Sequence, residues 1–227
     1  MADILRMPTV DVTCTLTCAG NRRKEQNMVK QTIGFGWGPS GTSCSTWTGV
    51  RLGDVLRACG VQGDDAQYVC MRGPKGELPK GDDGSYGSSI TLHRAMDPSY
   101  DVILAYKQNG RLLTPDHGFP IRVIIPGFIG GRMIKWIEEI TVTAEESKNY
   151  YHFHDNRILP SHVDAETATR DGERVAADGG WRLCLSTASV GVHPLHASCG
   201  AARCSTSPSV ACLASLLVVG RHPAKVV

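Results

Sequence analysis

Cys18 is followed within five residues by two guanidinium groups, in the run Cys18-Ala19-Gly20-Asn21-Arg22-Arg23-Lys24-Glu25-Gln26-Asn27-Met28. Nearby positive charge favours thiolate over thiol, and thiolate is the form that binds soft metals. An arginine fork matches planar oxyanions through two parallel hydrogen bonds. The run therefore has the makings of a site for a soft metal and a small anion.

Upstream, Val10, Val12, Cys14, Leu16 and Cys18 alternate with Thr9, Asp11, Thr13, Thr15 and Thr17, the period of a strand with one apolar face. Gly20 and Asn21 are expected to end it, one by tolerating a left-handed backbone and the other by bonding its own backbone. Cys18 then lies at a strand mouth. The competing reading is an inert core cysteine, the usual fate of an unpaired thiol on an apolar face. Cys14 and Cys18, four apart in a strand, stand about 13 Å apart and share neither a zinc nor a disulfide. His152 and His154, beside Tyr150, Tyr151 and Phe153, are expected to serve packing and hydrogen bonding ahead of metal binding.

The run resembles the cofactor-ligand motif of the sulfite oxidase family of molybdenum enzymes. Its Lys24 to Met28 continuation resembles the eukaryotic assimilatory nitrate reductases within that family. The likeness continues through Asp83-Gly84-Ser85-Tyr86-Gly87, Thr114-Pro115-Asp116-His117-Gly118-Phe119-Pro120-Ile121-Arg122, Ile125 to Trp136, and Asp155 to Asp164. It covers residues 1–170, read as a partial molybdopterin-binding oxidoreductase domain. The implied fold is α+β, sulfite-oxidase-like, mostly strands with a few short helices, and incomplete at its N-terminus.

The resemblance implies specific roles. Cys18 is the metal ligand; His117, Arg122 and Lys135 hold the phosphate of a molybdenum-molybdopterin cofactor; Arg23, and secondarily Arg22, bind and neutralise nitrate; Asn156 orients it. Each has a plainer reading. His117 could fix a turn, Lys135 could be a solvated lysine, Asn156 could belong to an Asp155-Asn156 turn, and Trp37 and Trp47 could be core. Arg122 in an apolar strand is costly unless it is paired. A sulfite-oxidising relative, for which a tyrosine is expected at the position of Asn156, and an inactive fragment of the same fold remain as alternatives.

The chain of 227 residues is 41% hydrophobic with a net charge of +2, enough for a core and without the strong basic bias of a nucleic-acid binder. Its apolar runs fall short of a membrane helix, and residues near Met1 lack a signal-peptide core, so a cytoplasmic protein is expected. Nine irregularly spaced cysteines fit a reducing compartment.

Coarser features complete the layout. Leu52, Val55, Leu56 and Cys59 follow helical spacing with Gly60 as a stop, and residues 72–87 read as a surface loop. Strands are expected at Tyr68 to Met71, Val102 to Tyr106, Ile121 to Ile125 and Arg132 to Val142, with Asn109-Gly110 as a hairpin turn. The Pro126 to Gly131 stretch lacks the Gly-Lys-Ser/Thr ending of a nucleotide phosphate loop.

Residues 171–227 depart from this pattern. From Leu183 onward there is no Asp, Glu, Asn, Gln, Ile, Phe, Tyr, Met or Trp, while Cys184, Cys199, Cys204 and Cys212 fall in this stretch. The palette is that of GC-rich DNA translated through an intron or out of frame, and a disordered tail is expected. It stands where the family's dimerisation domain would begin, so dimerisation by the usual surface is not expected. The resemblance places sequence upstream of Met1, including a further arginine. It assigns haem and FAD to family domains absent from this chain, so electrons must come from an external haem domain.

Overall fold

A computed structural model describes residues 1–32, 34–62, 66–155, 217–218 and 224–226. In chain order the elements are β1 (Thr9–Thr17), α1 (Arg23–Val29), β2 (Thr42–Arg51), α2 (Leu52–Ala58), β3 (Tyr68–Arg72), β4 (Gly87–Thr91), α3 (Leu92–Met96), β5 (Ile103–Gln108), β6 (Arg111–Leu112), β7 (Arg122–Ile124), β8 (Glu139–Thr143), α4 (Tyr150–Phe153), β9 (Leu217–Val218) and β10 (Ala224–Val226). Short antiparallel strands and a few short helices make this the α+β arrangement expected from sequence.

Alternation organises the first sheet. Val12 and Cys14 of β1 are buried while Asp11, Thr13 and Thr15 are exposed, and β1 pairs with β2 over nine positions, from Thr9 opposite Val50 to Thr17 opposite Thr42. β2 continues onto β5, which carries β7 on its other edge. Asn109 and Gly110 both adopt positive φ in the hairpin turn between β5 and β6. The second sheet runs β4-β3-β8-β10-β9. Val50, Ile103, Leu104, Val123 and Ile124 from the first sheet join Val69, Met71, Ile90 and Ile140 from the second, and Leu52, Val55 and Leu56 of α2, in one apolar cluster. Among the described residues no helix is long and apolar enough to cross a membrane.

One expected strand is corrected, and two elements were not anticipated. Only Glu139–Thr143 of the 132–142 stretch is strand; Gly130–Arg132 is a 3-10 turn. Lys135 and Trp136 lie between them and spend their side-chain donors on a distant turn, with Trp136 itself at φ 53. Residues 23–29 form a helix that buries no side chain, so it left no apolar period to read. His152 and His154 lie in and just after the short helix α4.

His152 does serve hydrogen bonding. Its Nδ1 lies 3.0 Å from Ser88 Oγ and 2.8 Å from Arg132 Nη1, and its Nε2 lies 3.3 Å from Ser89 Oγ, all buried. This network pins the end of the described domain onto β4. The boundary expected at residue 170, Asn156 and most of the 171–227 tail lie outside the described residues.

Candidate active site

The first half of the site is the mouth of β1. Cys18 is exposed, one residue beyond the strand. Its N–H donates to the Gly41 carbonyl at 2.8 Å, its carbonyl accepts from the Asn21 N–H at 2.9 Å, and the Gly20 N–H points at Sγ from 3.4 Å. The Asn21 side chain accepts from the Gly41 N–H across the mouth at 3.0 Å, which replaces the self-bonded turn expected for it. By contrast Cys14 is sealed in the core, where burial pushes its thiol up to about 11. The inert-core reading thus fits Cys14 and fails for Cys18.

The two arginines part company. Arg22 takes φ 60 and turns its guanidinium onto the Glu25 carboxylate through two nitrogens, with Nε to Oε1 at 2.9 Å. Its fork thus faces a carboxylate on the solvent side of the helix. Arg23 instead folds back over the strand mouth and donates from Nη1 to the Phe35 carbonyl at 2.9 Å. A Cβ on Gly20 would lie 2.8 Å from Arg23 Nη1 and 2.6 Å from Trp37 Cδ1. Gly20 has no positive φ. Its lack of a side chain is needed for close approach, not for a left-handed turn.

The second half is built around the 3-10 turn Pro115–His117. Its three successive carbonyls take bonds from Trp136 Nε1 at 2.8 Å, Lys135 Nζ at 2.8 Å and Arg122 Nη1 at 3.1 Å. His117 Nδ1 lies 2.7 Å from Thr114 Oγ1, a contact that ties the side chain to its own turn. Gly118 closes the turn at φ +104, and a Cβ there would sit 3.0 Å from Lys135 Cβ and 3.1 Å from Arg122 Cβ. Cationic side chains are therefore gathered on one loop.

Arg122 is 6% exposed, with Nη2 donating to the Met133 carbonyl at 3.2 Å and its Cζ 4.9 Å from the Trp47 ring. Burial pulls its guanidinium down to about 10, still charged at neutral pH. Burial likewise lowers Lys135, and the charge of Arg122 adds to it. Among the described residues Arg122 has no carboxylate partner and its buried Nε has no acceptor.

Arg122, Lys135, Trp136, Gly130, Gly131 and Tyr86 border a cavity of about 550 Å³. Cys18, Arg23 and His117 do not line this cavity; its Gly130 wall lies near the first half, since a Cβ on Gly130 would sit 3.6 Å from the carbonyl oxygen of Thr17, the residue before Cys18. Trp136 and Tyr86, whose hydroxyl donates to the Gly131 carbonyl at 2.8 Å, escaped the sequence reading. Both stand in runs that carry the family resemblance, Tyr86 in Asp83 to Gly87 and Trp136 directly after Lys135, a signal that could have been used. Trp47 is core beneath Arg122, while Trp37 stands half-exposed over Gly20.

These residues fit a pterin phosphate. A desolvated guanidinium without a counterion, an adjoining lysine and a cavity of small-molecule size suit an anionic, flat ligand. No group of three or more His, Cys, Asp or Glu able to hold a metal occurs among the described residues. The exposed Cys18 offers a single sulfur, a donor type suited to a soft metal that brings its other ligands with it.

Residues 1–151 match the family model described as the oxidoreductase molybdopterin binding domain. The chain belongs to this family. Within it, the nitrate reductase (NADH) of Volvox carteri is 63% identical over 174 residues, covering 76% of this chain and 20% of that protein. The nitrate reductase (NADH) of Ulva prolifera is 59% identical over 174 residues with the same coverage, and that of Brassica napus 62% identical over 165 residues, 72% and 18%. The chain spans about a fifth of the length of these curated relatives. Among solved structures, the sulfane dehydrogenase SoxCD from Paracoccus pantotrophus aligns at a TM-score of 0.55 and 26% identity, over 68% of this chain and 36% of that one. The family assignment supports molybdenum-molybdopterin as the cofactor.

Proposed function

We propose that this chain is the molybdenum-cofactor portion of an assimilatory nitrate reductase. The observation that carries the reading is the 59–63% identity to nitrate reductases over 165 to 174 residues, together with the family match over residues 1–151, which hold Cys18, Arg23, His117, Arg122 and Lys135. When bound, the cofactor supplies the metal and the two electrons with which nitrate and two protons become nitrite and water.

Each protein group has a physical task in that reaction. Cys18 offers its sulfur from an exposed strand mouth, steadied by the Gly20 N–H. Arg122 and Lys135 exchange carbonyl acceptors for phosphate oxygens, a gain because charged pairs form stronger hydrogen bonds. Arg23 lies over the residue two beyond Cys18, where it can take a planar oxyanion and stabilise charge as an N–O bond breaks. Asn156 orients the anion, and a haem domain elsewhere in the full-length protein delivers electrons.

The test is to load the 227-residue chain with molybdenum cofactor and supply reduced methyl viologen. Nitrite should form in proportion to bound molybdenum, and sulfite offered with ferricyanide should not be oxidised. Sulfite oxidation without nitrite formation would move the chain to the sulfite-oxidising branch. Failure to retain molybdenum would overturn the reading altogether.

A further inference from the structure

The buried charge of Arg122 has no ion-pair partner among the described residues, so something else must hold it in the folded chain. Two carbonyls take its Nη atoms. The third support is the face of Trp47, itself 1% exposed, 4.9 Å from Cζ. A guanidinium over an indole face is attracted by the ring quadrupole, most strongly where water is excluded.

Trp47 is also placed to relate the two halves of the site. On β2 it stands opposite Val12 of β1, the strand that ends at Cys18, and opposite Gln108 of β5, the strand that pairs with β7 and so carries Arg122. We propose that Trp47 is a positioning residue for anion recognition: its indole face fixes the Arg122 guanidinium so that the phosphate of the ligand is met by an aimed, desolvated donor. Trp47 itself never touches the ligand. Its contribution is to keep the fork in one orientation, with the buried Nε held against the core without an acceptor. This rests on the phosphate role given to Arg122 above and adds the residue that makes that role possible.

Progressive fluorination tests it, because each fluorine drains the ring's negative face while its shape changes little. Trp47 would be replaced in the full 227-residue chain by mono-, di-, tri- and tetrafluorotryptophan through nonsense suppression. Binding of inorganic phosphate would be followed by calorimetry. The dissociation constant should climb with each fluorine, reaching roughly tenfold at the end of the series. The same series in an Arg122→Met background should leave residual binding flat.

Two failures point to different errors. If Arg122→Met leaves phosphate binding unchanged, the pocket does not take its anion at Arg122 and the cofactor reading is wrong. If Arg122→Met weakens binding but the fluorinated series is flat, Arg122 is held without help from the ring and Trp47 is packing alone. Trp47→Met provides a second check, with weaker phosphate binding expected in the Arg122 background and no change in Arg122→Met.

Discussion

Replacing Gly20 with alanine puts a methyl group 2.6 Å from Trp37 Cδ1, 2.8 Å from Arg23 Nη1 and 2.9 Å from Arg23 Cζ. None of these separations is tolerable, so the guanidinium and the indole must both move. Both belong to side chains with exposed surroundings, and Phe35, which accepts from Arg23, is 79% exposed. Relaxation there is easy, and the stability loss should stay near the low end of overpacking, about 1 kcal/mol. The functional loss should be larger. A hydrogen bond from a charged donor contributes roughly 1.5–3 kcal/mol, so displacing Arg23 from the anion's path should cut kcat/KM for nitrate about ten- to a hundredfold. The Gly20 N–H to Cys18 Sγ contact uses only the backbone of residue 20 and survives. Molybdenum per chain, by elemental analysis, should therefore match wild type while nitrate kinetics with reduced methyl viologen collapse. Unchanged kinetics in a folded Gly20→Ala protein would show that Arg23 does not meet the anion from this position.

Other expectations concern the metal, the turn and the buried charge. Cys18→Ala should abolish molybdenum retention while shifting unfolding by less than about 0.5 kcal/mol, since the side chain is exposed; retained metal would refute the ligand assignment. Gly118→Ala forces a side chain into φ +104 and against Lys135 and Arg122, and should cost about 2 kcal/mol in denaturant titrations together with phosphate affinity. The Arg122 proton leaves more readily from the folded chain than from the unfolded one, so the unfolded state binds more protons above about pH 10. Ligand-free wild type should accordingly gain stability relative to Arg122→Met as pH rises from 9 to 11, by part of a penalty worth about 3 kcal/mol at neutral pH. A flat difference between the two unfolding curves would mean that the guanidinium is not desolvated.

Strand alternation made β1 readable to within a residue, and helix spacing with Gly60 did the same for α2, because each element buries one face of a continuous pattern. The 132–142 stretch misled. Its apolar residues are buried irregularly while Lys135 and Trp136 bond the Pro115–His117 turn, and such long-range side-chain bonds leave no period in a sequence. At the site, the types of Cys18, Arg122 and Lys135 were legible, as was the cost of Arg122 in an apolar strand. The division of labour between Arg22 and Arg23 was not. It depends on Glu25 being three residues along a helix that presents no apolar face. Nor could spacing distinguish Trp47 beneath Arg122 from Trp37 above Gly20, because strand register decides which ring faces which charge.

The turn at Pro115–His117 bears on how two like charges can share one corner of the fold. Bringing Arg122 and Lys135 together invites mutual repulsion, yet two successive peptide oxygens of the turn take their donors while a third takes the Trp136 indole. An oxyanion offers these donors the same kind of oxygen acceptor, so a cradle held in place by the chain's own carbonyls needs little rearrangement to receive one.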